Sequence, residues 1–257
     1  MNLFDLSGKV VIVTGASSGL GADAAIAYAE YGADVAILAR RKDKLDLLAK
    51  EIEAKGRKAL AVECDVSSEE SVKIAVNTVI KTFGKVDILL NNAGVAQIGT
   101  VEQLPLEAWD NSMDINVKGI YLMCKYTLPF MRKQQYGKII NVASVNAIIA
   151  DKGADLARHV YNTSKAAVRG ITIGMAASYM QEGITVNSVG PGLFESEMTE
   201  STLFKHEQFL AMYNALCPAS RPARKGELNG TLIYLSSEAS SYVTGQHIVI
   251  DGGMTII

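Results

Sequence analysis

The sequence predicts a doubly wound α/β fold, a seven-stranded parallel sheet with helices on both faces, and three observations predict it. Seven short β-branched runs, residues 10–14, 35–39, 59–63, 86–90, 138–142, 184–189 and 247–251, alternate with helical stretches, and such alternation builds a parallel sheet through crossover helices. The first run opens directly into a glycine-rich turn. The residues best suited to chemistry follow runs one, four, five and six, which would gather them on one rim beyond the carboxyl ends of the strands.

Val10-Val11-Ile12-Val13-Thr14 reads as a buried strand and runs into Gly15-Ala16-Ser17-Ser18-Gly19-Leu20-Gly21 and an Ala-rich helix. This is a Rossmann-type phosphate cradle: glycines let the backbone approach an anion, which free amides and the helix dipole attract. The spacing is Gly-x-x-x-Gly-x-Gly rather than the Gly-x-Gly-x-x-Gly of the standard dinucleotide fingerprint. The second strand ends at Ala39 and is followed by Arg40 and Arg41, cations that oppose the dipole of a first helical turn and so want a reason for their place. Leu45, Leu48, Ala49 and Ile52 then mark one helix face, and Val72, Ala75, Val76, Val79, Ile80 and Phe83 mark another. Between these helices the third strand ends in Cys64-Asp65-Val66, where Asp65 suits a turn or helix cap.

The fourth strand leads into Asn91-Asn92-Ala93-Gly94, with more Asn than a turn requires. Asn116 interrupts an apolar helical context in which Asn has poor propensity. Ser144 follows the fifth strand, and Tyr161-Asn162-Thr163-Ser164-Lys165 lies on the next helix, where a spacing of four puts the Lys165 ammonium near the Tyr161 phenol. A free phenol has a pKa near about 10. A fixed cation beside it would lower that value and make Tyr161 a usable acid or base. Pro191 and Gly192 follow the sixth strand.

Thr14 to Gly21, Asn91-Asn92-Ala93-Gly94, Asn116, Ser144, Tyr161 with Lys165, Asn187, Pro191-Gly192 and Asp251-Gly252-Gly253 together resemble the short-chain dehydrogenase/reductase family over essentially the whole chain. The resemblance implies interconversion of a secondary alcohol and a ketone by hydride transfer. Tyr161 would be the acid/base, Ser144 a donor to the substrate oxygen, Lys165 a partner of both Tyr161 and the nicotinamide ribose, and Asn116 a member of a proton relay through an ordered water to Lys165. It implies cofactor contacts from Gly15, Ser17, Ser18, Gly19, Leu20, Gly21, Asp65, Val66, Asn92, Ala93, Gly94, Pro191, Gly192, Phe194 and Ser196, the last standing where the family usually has Thr. Since an Arg after the second strand accepts a ribose 2′-phosphate that a carboxylate would repel, Arg40 and Arg41 favour NADP(H) over NAD(H). Ser18, where many NADP-using relatives carry a basic residue, weighs the other way.

A helical lid is expected over about residues 193–215, with Phe204, Phe209, Leu210, Met212 and Tyr213 either lining the substrate or simply packing. Residues 151–159 lengthen the stretch between Ser144 and Tyr161 and would lie, charged, at the mouth of the substrate pocket, either tuning specificity or forming a solvated loop. Both chain ends resemble members that oxidise sugar acids such as gluconate, although similar ends occur in hydroxysteroid dehydrogenases and general ketone reductases. The family also implies a homotetramer. Ile120, Tyr121, Met123 and Tyr126, then Val168, Ile171, Ile173 and Met175, and the tail Met254-Thr255-Ile256-Ile257 are the surfaces expected to be buried in it.

Bulk properties fit a single domain over residues 1–257: five prolines, no linker and no repeat. A net charge of −2 with mixed signs leaves no basic face for nucleic acid. No apolar stretch reaches membrane-spanning length and the N-terminus lacks a basic signal-peptide region, so a cytoplasmic protein without a membrane partner is expected. Cys64, Cys124 and Cys217 suit reduced thiols, and the three histidines have no ligand spacing, so no metal is expected. Two rival readings stand beside this one. Gly15-Ala16-Ser17-Ser18-Gly19 also fits a hydrolase nucleophile elbow, but Ser17 follows the first strand and no triad partner is evident. A catalytically silent NADP-binding sensor would have no use for Asn116, Ser144, Tyr161 and Lys165 together.

Overall fold

The structure, a computed structural model, describes residues 2–153, 156–195, 199 and 207–257. Among them the strands are β1 Val10–Thr14, β2 Asp34–Ala39, β3 Ala59–Glu63, β4 Ile88–Asn91, β5 Gly137–Val142, β6 Ile184–Pro191 and β7 His247–Ile250. They form one seven-stranded sheet in the order β3-β2-β1-β4-β5-β6-β7, parallel at every pairing. The order reverses between β1 and β4, which opens a crevice at their carboxyl ends. The helices are α1 Gly19–Glu30, α2 Lys42–Ala54, α3 Glu69–Phe83, α4 Leu106–Met113, α5 Gly119–Gln134, α6 His159–Tyr179, α7 Glu207–Leu216 and α8 Asn229–Ser236.

Period-two alternation sends β1 side chains to two cores. Val11 and Val13 join Ala25, Tyr28, Leu48 and Leu232 on the α1, α2 and α8 face. Val10 and Ile12 join Val76, Val79, Met123 and Val168 on the α3, α5 and α6 face. Of the periodic residues of α3, Val72, Ala75, Val76 and Val79 are buried and Ile80 and Phe83 are half-buried against the same core, and the helix is bounded by Ser68, whose hydroxyl accepts from Ser71 N–H, and by left-handed Gly84.

Several boundaries and surfaces differ from expectation. β4 starts at Ile88, two residues late, because Asp87 turns its carboxylate onto the Val10 N–H at 2.8 Å. β7 stops before Asp251, whose side chain instead accepts from Gly253 and Thr255 N–H. Of the residues expected to face a partner subunit, Ile120, Met123 and Val168 are fully committed to the chain's own core. Of the expected lid, residues 196–198 and 200–206, Phe204 among them, lie outside the described residues; Phe209, Leu210 and Tyr213 pack with Leu193, Cys217 and Met254, and Met212 is exposed. That stripe is therefore a helix-packing face, and it does not line the main cleft.

Candidate active site

A cleft of about 450 Å³ runs along the carboxyl rim from the glycine turn to Tyr161. Its floor follows from β1. Thr14 Oγ1 accepts from Asn92 N–H and Ala93 N–H at 3.0 and 3.1 Å, clamping the turns after β1 and β4 together. Asn92 Nδ2 donates to the carbonyls of Thr14 and Gly15. Gly15 has φ +65°, and a Cβ there would stand 2.8 Å from Ala93 Cα; one on Gly21 would stand 2.4 Å from Asn92 Nδ2. The backbone of this cradle has no room for side chains, and the first amides of α1 face the cleft without a side-chain cap from Ser18.

At the far side of the cradle the Arg41 guanidinium donates to Ser17 Oγ and, at 2.9 Å, to Ser18 Oγ. The cation that Ser18 itself lacks is thus delivered from the start of α2. Arg40 and Arg41 both line the cleft. Asp65 lines it too, but its Oδ1 accepts from Ser67 N–H and Ser67 Oγ. That hydrogen bonding holds its carboxyl below the usual carboxylate range, with a smaller contribution from Arg40. Gly19, Leu20, Val66, Ala93, Gly94, Pro191 and Phe194 also line it. Gly192 does not join them: it packs on Asp251, where a Cβ would stand 2.9 Å from the Cα. Ser196 lies outside the described residues. Thr199, which the sequence reading passed over, lines the cleft and donates to Phe194 O at 2.7 Å.

The reacting end is built from β5, α6 and a π-helical turn. Asp114–Lys118 forms that turn between α4 and α5, a backbone irregularity frequent at functional sites. It buries Asn116 completely. The Asn116 amide accepts from Val95 N–H and donates to Val95 O and Ser164 Oγ. It makes no direct bond to Lys165; a Cβ on Gly94 would stand 3.2 Å from Asn116 Oδ1 and 3.4 Å from Lys165 Nζ, so the two heads converge on that glycine. Lys165, 4% exposed, donates to Val142 O at 2.8 Å. Its Nζ lies 5.6 Å from the Tyr161 ring centroid. Asn91, the last residue of β4, is a sheet residue whose Nδ2 donates to Asn141 Oδ1 across β4 and β5.

The electrostatics correct one expectation. Burial pushes the Tyr161 phenol above its ordinary value, opposed first by the Ser144 hydrogen bond and then by the Arg158 charge. Burial also lowers the Lys165 ammonium, to about 8, and that ammonium donates to Val142 O. The nucleophile-elbow alternative finds no support in the contacts: Ser17 is bonded to Arg41, His159 Nδ1 accepts from Val101 N–H, and His247 Nδ1 is bonded to Ser188. His206 lies outside the described residues.

With cleft and cluster on one rim, comparison with known proteins settles the family. The family model described as enoyl-(acyl carrier protein) reductase matches residues 15–255. A solved short-chain type dehydrogenase/reductase from Mycobacterium marinum is 39% identical, covers 100% of this chain and 99% of its own, and superposes with a TM-score of 0.94. The chain belongs to the short-chain dehydrogenase/reductase family. Short-chain dehydrogenases/reductases are NAD(P)-using oxidoreductases acting on CH–OH groups, and this one is similar to a gluconate 5-dehydrogenase of Gluconobacter oxydans, 36% identical over 255 residues, 99% of this chain and 98% of that protein. It is also similar to a gluconate 5-dehydrogenase from Burkholderia cenocepacia solved with NADP and tartrate, at 32% identity, TM-score 0.94, and 100% and 98% coverage. The residues present fit a dinucleotide: the bare glycine cradle takes a pyrophosphate, and the elongated cleft joins it to the Tyr161 cluster.

Proposed function

We propose that this short-chain dehydrogenase/reductase is an NADP(H)-dependent enzyme that interconverts a secondary alcohol and a ketone on a polyhydroxylated acid of the gluconate/5-ketogluconate type. The observation that carries the reaction is the convergence of Ser144, Tyr161 and Lys165, backed by Asn116, at the end of the cleft. When bound, the nicotinamide supplies or accepts the hydride. In reduction Tyr161 gives its phenolic proton to the substrate oxygen, and Ser144 donates a hydrogen bond to the same oxygen as negative charge builds there. Lys165 stabilises the resulting tyrosinate, and Asn116 fixes the backbone at Val95 and the Ser164 side chain beside it. In oxidation Tyr161 is the base.

The NADP(H) preference rests on Arg41 over Ser17 and Ser18, which groups one guanidinium and two hydroxyls where a ribose 2′-phosphate would lie. The sugar-acid reading draws support from the names of the two gluconate 5-dehydrogenases. Exposed Ile148 and Ile149 beside Ser144 favour a second reading, a hydroxysteroid or general ketone substrate. Turnover of purified enzyme with NADPH on 5-ketogluconate, set against an oxosteroid and a simple aliphatic ketone, separates the two. The proposal expects 5-ketogluconate to give the highest kcat/KM, and a preference for the oxosteroid overturns it.

A further inference from the structure

The segment that lengthens the stretch between Ser144 and Tyr161 is wired into the site. After β5, Ser144 caps a short 3-10 turn, Val145–Ala147, and its Oγ accepts from Asn146 N–H at 3.1 Å. Asn162, next to Tyr161, reaches back from α6 and donates to Asn146 O and Ile149 O at 2.8 and 2.9 Å. The chain then passes Asp151 and returns through Arg158, which pairs along the strand-like Gly99 bridge and enters α6 three residues before Tyr161. Arg158 Nη1 is ion-paired to Asp151 Oδ2, and the two side chains are only 12% and 30% exposed. The same oxygen accepts from Asn146 Nδ2 at 3.3 Å.

That last contact fixes the sense of the Asn146 amide. A carboxylate accepts only, so the amide NH₂ must face Asp151, and Asn146 Oδ1 is left facing the Ser144 hydroxyl. The Ser144 Oγ to Asn146 Oδ1 distance is 3.5 Å, at the limit of a hydrogen bond. At that length the single hydroxyl proton is only weakly held by Asn146, and Ser144 can give it to the Tyr161 oxygen or to a substrate oxygen instead. Arg158 also stands at a helix N-terminus, where a cation opposes the dipole; Asp151 supplies the compensation.

We propose that the Arg158–Asp151 ion pair, tied to Ser144 through the Asn146 amide, poises the Tyr161–Ser144 acid–base pair, with Arg158 and Asp151 acting as positioning residues that touch neither substrate nor cofactor. The other charged groups around Tyr161 are engaged elsewhere. Lys165 on α6 is held by Val142 O, His159 takes the Val101 N–H on its Nδ1, and Asp114 and Lys118 of the π-helical turn pair with each other. Ser144, which follows β5, and Asn116, on the π-helical turn, are uncharged. The Arg158 charge opposes the effect of burial on the phenol, and the low exposure of the Arg158 side chain, 12%, limits its screening by salt.

This inference rests on Tyr161 being the acid/base, and the test separates the two. The ultraviolet absorbance of tyrosinate, titrated for each protein and for its Tyr161→Phe counterpart, gives the ionisation of Tyr161 by difference and needs no substrate. Arg158→Gln should move that ionisation to higher pH and Asp151→Asn, which keeps shape and acceptor, to lower pH; Arg158→Lys should titrate like the wild type. In NADP-dependent alcohol oxidation at neutral pH, Arg158→Gln should lose roughly three- to tenfold in kcat/KM. Opposite shifts in the two variants support the proposal. Titrations that stay at the wild-type position in folded Arg158→Gln and Asp151→Asn overturn it, whatever the loss of melting temperature. If Arg158→Gln does not fold, Asp151→Asn decides by the same criterion. An active Tyr161→Phe enzyme would instead remove the reading on which the inference stands.

Discussion

At the residue scale, two side chains make the account testable. Arg41 contributes charge-assisted hydrogen bonds, each worth about 1.5 to 3 kcal/mol. Arg41→Ala, combined with Arg40→Asp, should therefore weaken NADPH by roughly tenfold or more, at about 1.4 kcal/mol per decade, while NADH binding is retained or improved. Fluorescence titration with both cofactors checks this, and wild-type enzyme that already prefers NADH refutes it. Lys165 titrates at about 8 when folded, against an ordinary value of 10.5. Between those values the unfolded chain holds a proton that the folded chain has released, so this group makes stability rise with pH through that window; below about 8 its penalty is fully present. Urea unfolding as a function of pH should show that rise in the wild type, and Lys165→Met should flatten it. Spacing put Tyr161 and Lys165 on one helix face and the family resemblance added Ser144; the structure places all three on one cleft. Thr199 was not legible, since the substitution of its neighbourhood drew attention to Ser196 and nothing local marks a hydroxyl three residues later. Asn92 was legible as a cleft residue, but its clamp on the Thr14 and Gly15 carbonyls was not, because an amide that bonds backbone carbonyls of a distant turn leaves no periodic trace.

At the scale of elements, the glycine turn and the π-helical turn position the site. Gly15→Ala would force a Cβ against Ala93 backbone at a positive φ. Such a change should cost on the order of 1–3 kcal/mol and sharply weaken cofactor binding, as measured by thermal melting with and without NADPH; an unchanged melting point and affinity would contradict the close approach. The strands were readable to within about two residues because buried parallel strands form β-branched runs. Their ends were less so, as at Asp87 and Asp251, where a side chain competes for backbone amides. The π-helical turn was hidden altogether: the poor fit of Asn116 to an apolar helix pointed to the residue, but one extra residue per turn leaves helical periodicity nearly intact.

At the scale of the whole molecule, burial sorts the surfaces expected to assemble. Ile120, Met123 and Val168 were misread as surface because sequence alone cannot say which apolar stripe of an all-round apolar helix faces the sheet. Tyr121 and Ile173 remain, 50% and 56% exposed, on α5 and α6, and Ile256 and Ile257 are 84% and 73% exposed at the chain's end. We propose that these surfaces are covered in a homotetramer closed by symmetry. Light scattering at micromolar concentration should report four copies, and Ile173→Asp should dissociate them at least to dimers; a stable wild-type monomer would rule the assembly out.

The most direct test of the central claim is the turnover of Tyr161→Phe beside the wild type, with NADPH and the carbonyl panel that the wild type reduces. Removing only the phenolic proton should lower kcat by roughly 10²- to 10⁴-fold while leaving the NADPH dissociation constant within about twofold. Turnover by the Phe enzyme at a rate comparable to wild type would contradict the account.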